Sequence, residues 1–177
     1  DCDTLLLSVG LIPENELSRG AGVEISPVTN GPIVDESLET SVPGVFACGN
    51  VLHVHDLVDF VSQEAAAAGR SAAAFLKHEK QSGDRRIRLT AKNGVRYTVP
   101  STVDPDRMDE SITVRFRVGD VYRNPSIVVT SDTGEVLLRR KRMIVAPGEM
   151  EEVVLKKEDL LARIDVKEIT ITLEVAE

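Results

Sequence analysis

Residues 40–50 read TSVPGVFACGN. Within them, residues 45–48 (VFAC) form a short apolar run of the kind that fits a buried strand, Gly49 stops it, and polar Asn50 follows. From Asp56 onward the apolar period changes from two to nearly four. Leu57, Val61, Ala65, Ala68, Ala72 and Phe75 fall on one helical face, with Asp59, Gln63, Arg70 and Lys77 round the other side. Asp56 is placed to cap this helix, and Asp59 adds negative charge to its first turn. Ala65, Ala66, Ala67 and Ala68, followed by Gly69, keep the helix thin. Small residues let it press close to a sheet or a flat ligand, or they are ordinary high-propensity filler.

Upstream, residues 4–9 (TLLLSV) read as a second strand buried on both faces, and Gly10 stops it. Residues 11–17 (LIPENEL) are loop or turn. Residues 22–34 (GVEISPVTNGPIV) hold Asn30-Gly31 between two β-prone segments, a strong hairpin signal. Downstream, residues 81–84 (QSGD) read as a linker, and the chain after it alternates. Ile112, Val114, Phe116 and Val118 face opposite to Thr113, Arg115 and Arg117; Ile169, Ile171, Leu173 and Val175 repeat the pattern. Weaker strands are expected at 87–91, 95–99, 127–130, 136–141 and 153–155, with a helical turn near 158–161. About seven short strands in roughly ninety residues suggest an antiparallel β-sandwich of immunoglobulin-like or fibronectin-like type. The expected division is therefore an α/β segment over 1–80 and an all-β sandwich over 84–177.

Charge divides at the same place. Of the net charge of −8, residues 1–80 carry all of it, with 12 acids against 4 bases, while residues 81–177 carry 17 of each. Neither part has the basic excess of a nucleic-acid binder, and six Phe and Tyr with no Trp make no stacking platform for single strands. Arg85, Arg86 and Arg88, the run 139–142 (RRKR), and Arg115 with Arg117 are basic clusters, read as charge-balanced solvated faces or as a docking face for an acidic electron-transfer partner. Cys2 and Cys48 make neither a disulfide framework nor a zinc site, which points to an intracellular, cytoplasmic protein. No apolar run is long enough for a membrane span. The chain starts at Asp1 without Met, in mid-strand by pattern, as a piece of something longer would.

The segment 40–50 resembles the second FAD-binding signature of the pyridine nucleotide-disulfide oxidoreductase superfamily, through Thr40, Gly44, Val45, Phe46, Ala47, Cys48 and Gly49, with Asn50 where the family carries Asp. Residues 3–13 (DTLLLSVGLIP) resemble the strand and Gly-x-x-Pro turn by which these enzymes return to the FAD-binding domain, and 22–34 falls where the family places a small hairpin. The three elements come in the family's order. The resemblance implies a C-terminal segment of a split, Rossmann-like FAD-binding domain with a β-sandwich appended to it, in a flavoprotein that moves a hydride between NAD(P)H and FAD and on to an unknown acceptor, protein or small molecule. By the same resemblance, Gly49 would let the backbone approach FAD and Asn50 would contact its ribityl chain. Leu57, Val58 and Asp59 would lie where the helix N-terminus meets the pyrimidine edge of the flavin. The first half of the FAD domain and the NAD(P) domain would precede Asp1, so the piece alone is expected to be inactive and to self-associate through exposed apolar surface.

His53 and His55, two apart, put both imidazoles on one face of an extended segment. With Asp56 they suit a partial metal site, an acid/base or flavin-lining role, or a hydrogen-bonded structural pair. No second Cys or His cluster completes a metal sphere, so no metal is expected. His78 suits a helix C-terminus. No Cys-x-x-Cys is present, Cys48 reads as a small core residue, and Gly20-Ala21-Gly22 does not continue into Gly-x-Gly-x-x-Gly. The competing reading is a non-catalytic module whose sandwich recruits a partner, the flavin signature being vestigial.

Overall fold

The computed structural model describes residues 2–7, 10–77 and 83–175. Ser8, Val9, His78 and residues 81–82 lie outside the described residues.

The first part carries little regular structure besides one long helix. Leu5, Leu6 and Leu7, expected in a strand, are 75%, 91% and 75% exposed and form none. A strand buried on both faces needs neighbours to pair with and to cover it, and no described strand pairs with these residues. After the short helix α1 (Glu16–Gly20), residues 22–47 fold as a meander held by single antiparallel bridges, Ile25 to Pro32, Val34 to Thr40 and Glu39 to Phe46. The hairpin expected at Asn30-Gly31 turns there: Ser26 N–H reaches the Gly31 carbonyl at 2.8 Å, and Asn30 takes φ of 58°. Gly31 presses on the Leu52 backbone so closely that a Cβ would sit 1.7 Å from its carbonyl oxygen. The strand expected at 45–48 reduces to the one bridge at Phe46, with Val45 exposed.

The helix α2 (Val58–Leu76) begins one residue later than expected, with Leu57 rather than Asp56 at its N-cap and no side chain capping it. Its inward face differs from the apolar stripe as well. Glu64 and Ala68 are its buried residues, flanked by Phe60, Val61, Ala67, Ala72 and Phe75, while Leu57 and Ala65 are exposed. The helix packs on a small cluster of Val34, Leu38, Ala47 and Leu52, joined from the second part by Val99 and Tyr97.

The second part is β-rich. In chain order come β1 (Ile87–Ala91), β2 (Val95–Val99), β3 (Thr102–Val103), β4 (Ser111–Val118), β5 (Tyr122–Arg123), β6 (Pro125–Ser131), β7 (Val136–Lys141), β8 (Ile144–Val145), β9 (Glu151–Lys156), α3 (Lys157–Leu161) and β10 (Glu168–Val175). One sheet runs β3-β1-β10-β6-β7, a second β2-β4-β9, and β5 pairs with β8. Alternation makes the core: Ile87 and Leu89, Val114, Phe116 and Val118, Ile127 and Val129, and Ile169, Ile171 and Leu173 meet between the sheets. The expected all-antiparallel order does not hold, because β1 and β10 are parallel neighbours, Leu89 opposite Ile169, and the three sheets do not establish an immunoglobulin-like sandwich. The short strands β3, β5 and β8 are too brief to leave a period in the sequence.

The two parts share a charged interface. Arg107 donates to Asp35 at 3.1 Å, pairs in charge with Glu36 at 3.2 Å and lies 3.7 Å from Glu39. Burial, then neighbouring Asp35, pushes the Glu36 carboxyl up despite the Arg107 guanidinium. Ser101 N–H and Oγ both donate to the Val34 carbonyl. Arg115 and Arg117, on the outward face of β4, are 11% and 14% exposed because the first part covers them. The acid excess of the first part thus meets arginines of the second. Other basic residues are balanced by acids of the second part itself, Arg139 by Glu174, Arg140 and Arg142 by buried Glu151, and Arg88 by Glu168.

Candidate functional site

The loop between Phe46 and α2 is built around one carboxylate. Extended Cys48 leads into Gly49, whose φ of +70° turns the chain into a 3₁₀ turn (Gly49–Val51). A Cβ at Gly49 would be strained by that φ and would meet Val61 Cγ1 at 3.3 Å. Gly49 N–H donates to Glu64 Oε2 at 2.6 Å. His53 Nε2 lies 3.0 Å from Glu64 Oε1, and His55 Nε2 lies 3.0 Å from Glu64 Oε2. All three side chains are buried. Burial opposes the charge on Glu64, but the bonds from His53 and His55 win and draw its carboxyl down to about 2. Burial pushes His53 the other way, toward the neutral ring, against the pull of Glu64. An ionised carboxylate only accepts, so both histidines carry hydrogen on Nε2, and each buried Nδ1 has no partner among the described residues.

The rings stack edge to face, His53 on His55 with centroids 4.4 Å apart and His53 on Tyr97 at 6.0 Å. Burial raises the Tyr97 phenol, and burial followed by Glu64 raises the Cys48 thiol, consistent with a half-buried packing residue. From β4, Arg115 lies 3.9 Å from Glu64 Oε1 and 5.1 Å over the Phe60 ring.

Polar side chains hold the rest of the loop. Asn50 Oδ1 accepts from His55 N–H at 3.1 Å. Buried Asn15 donates to the carbonyls of Asn30 and Val51 at 2.8 and 2.7 Å. Arg117 donates to the Val54 carbonyl at 2.9 Å and pairs with Asp56, which also accepts from Met150 N–H. Asp56 is therefore neither the helix cap nor a member of the histidine cluster. Val51, Leu57 and Val58 are exposed along the same loop, and Asp59 is exposed in the first turn of α2.

The two histidines are brought together as their spacing implies, and Glu64 is the partner the sequence reading missed. Its signal was present: a lone acid between Val61 and Ala68 on an otherwise apolar stripe. Glu64 also supplies the third ligand atom that the histidine pair lacked, all within 4.8 Å of one another, which is the makeup of a metal site. The Gly49 N–H already on the carboxylate and the Arg115 cation beside it favour the hydrogen-bonded arrangement.

Comparison with known proteins places this geometry. The family model described as pyridine nucleotide-disulphide oxidoreductase matches residues 1–72. Residues 1–72 are thus similar to the pyridine nucleotide-disulphide oxidoreductase family. A ferredoxin--NADP reductase of Leuconostoc mesenteroides subsp. mesenteroides is 28% identical over 97 residues, which make up 52% of this chain and 28% of that protein. The chain thus aligns with little more than a quarter of that relative. No solved structure matches the chain significantly. The match to the pyridine nucleotide-disulphide oxidoreductase family covers the loop, the histidine pair, Glu64 and most of α2, and stops before the β-rich part. Among the described residues, no helix is long and apolar enough to cross a membrane.

Proposed function

We propose that the chain is the C-terminal part of an FAD-dependent pyridine nucleotide oxidoreductase, in which residues 49–59 line the flavin. The observation that carries this is the tight turn at Gly49 followed by an uncapped N-terminus of α2, within the segment the family match covers.

The residues present suit that group. Asn50 spends its oxygen on His55 N–H, and its amide hydrogens make no bond among the described residues, so they are available to an acceptor such as a ribityl oxygen. No side chain among the described residues caps the first N–H groups of α2, and a helix N-terminus stabilises adjacent negative charge by about 0.3–1 kcal/mol, more when partly buried. Val51, Leu57 and Val58 offer apolar surface beside these donors. FAD, when bound, would supply the hydride chemistry, taking two electrons from NAD(P)H and passing them to an acceptor. The chain's own contribution is placement: Glu64 anchors Gly49 and both histidines from beneath, Asn15 fixes Val51 from the side, and the loop cannot relax without breaking buried bonds.

The test is the visible spectrum of the full-length protein before and after anaerobic addition of NADH or NADPH. Flavin bands that bleach with one nucleotide support the proposal and identify the donor. A colourless protein that also fails to take up added FAD overturns it and leaves the β-rich part as the functional unit.

A further inference from the structure

The β-rich part grips the same loop that the proposed function gives to the cofactor. Strand β4 presents Arg115 and Arg117 on its outward face, alternating with the core residues Val114, Phe116 and Val118. Neither arginine faces solvent. Arg117 holds the Val54 carbonyl, the Pro147 carbonyl and the Asp56 carboxylate. Met150 N–H, just before β9, takes the other Asp56 oxygen. Arg115 reaches Gln63 at 3.4 Å, covers Phe60, and sits beside Glu64.

Asp56 immediately precedes the N-cap Leu57, and Asp is among the residues most inclined to cap a helix by accepting from its first N–H groups. Here both of its oxygens are engaged by the second part instead. We propose that Arg117 is a positioning residue for the flavin, and that it acts by holding the Asp56 carboxylate away from the N-terminus of α2. The β-rich part then belongs to the cofactor site as an intramolecular clamp: it keeps donors open that Asp56 would otherwise occupy and keeps a negative charge off the edge where reduction places another.

This rests on the proposed flavin site. The test uses the full-length flavoprotein and reads the flavin midpoint potential and FAD dissociation constant of R117Q, R117K, D56A and D56A/R117Q beside the unaltered protein. Gln keeps a donor for the Val54 carbonyl but releases the ion pair. R117Q is expected to disfavour reduced over oxidised flavin about tenfold, a shift of about 30 mV to more negative potential for a two-electron couple, and to weaken FAD binding several-fold. R117K and D56A are expected to stay near the original potential, and D56A/R117Q to return to it, because no carboxylate remains to occupy the helix. A purely structural role for Arg117 predicts no such rescue. Should R117Q be too unstable to load, Met150→Pro removes the second bond on Asp56 with Arg117 in place and carries the same expectation at smaller size. A potential unchanged in R117Q, or shifted equally in R117Q and D56A/R117Q while FAD still binds and bleaches, overturns the clamp and leaves the flavin proposal standing. Failure of the unaltered protein to bind FAD overturns both.

Discussion

Removing the Glu64 carboxylate is the sharpest perturbation of the site. Glu64→Ala deletes the acceptor of three buried donors, Gly49 N–H at 2.6 Å and the Nε2–H groups of His53 and His55 at 3.0 Å each. A buried donor left without a partner costs about 1–3 kcal/mol, and dismantling a buried charged set by removing one member costs about 3–5 kcal/mol. We therefore expect Glu64→Ala to lose about 3–5 kcal/mol. Glu64→Gln keeps one acceptor but turns an amide donor toward another donor, and is expected to lose about 1–3 kcal/mol. For a chain of this size each kcal/mol moves the melting temperature by about 2–4 °C, so Glu64→Ala should melt about 10 °C lower. Thermal and urea unfolding of the 177-residue chain, followed by far-ultraviolet circular dichroism, measures both variants. Melting of Glu64→Ala within about 2 °C of the unaltered chain would refute the reasoning, because three buried donors cannot lose their acceptor at no cost.

Further expectations concern pH, the β core and association. His53 is held below its ordinary value by burial, so stability present above about pH 6.5 is lost as pH falls through that value and the unfolded ring takes up a proton. Glu64, drawn down to about 2, contributes stability above about pH 4.5 that is lost between there and about 2, partly offset by Glu36, whose raised carboxyl favours the folded state as it protonates. Urea unfolding at steps from pH 8 to 3 should show the decline in those two windows, and Glu64→Gln should abolish the lower one. Phe116 is fully buried between the sheets, and Phe116→Ala should cost about 3–5 kcal/mol in the same assay. Leu5, Leu6, Leu7, Leu11 and Ile12 leave apolar surface exposed, so the isolated chain should self-associate; a clean monomer by light scattering at tens of micromolar contradicts this.

What could be read from the sequence was what repeats or pairs locally. Sequence pattern located most long strands to within a residue or two, β1, β2 and β7 at their exact bounds, and most clearly β4 and β10, which bury every second side chain on one core. The nearly four-residue period located α2 and most of its inward face, Val61, Ala68, Ala72 and Phe75, but not Glu64, which is drawn in by His53 and His55 rather than by apolar burial. The strand expected from Leu5, Leu6 and Leu7 is not formed, because an apolar run carries no information about whether a neighbour exists to pair with it. Asp56 had the residue type and place of a cap, and only contacts with Arg117 and Met150, distant in sequence, redirect it. Those same contacts hid the role of Arg115 and Arg117, which on a lone strand read as a solvated face. The parallel pairing of β1 with β10 joins the two ends of the second part and has no local signature.

The central claim, that the turn at Gly49 and Asn50 faces FAD, is tested most directly by the FAD dissociation constant of the full-length protein with Asn50→Ala and Asn50→Asp. Losing the donor and the bond to His55 N–H should weaken binding about tenfold in Asn50→Ala, equivalent to about 1.4 kcal/mol, while Asn50→Asp keeps the acceptor and should bind as well as the unaltered protein or better. Equal FAD affinity in all three, with the flavin firmly bound, would contradict the placement of these residues at the cofactor.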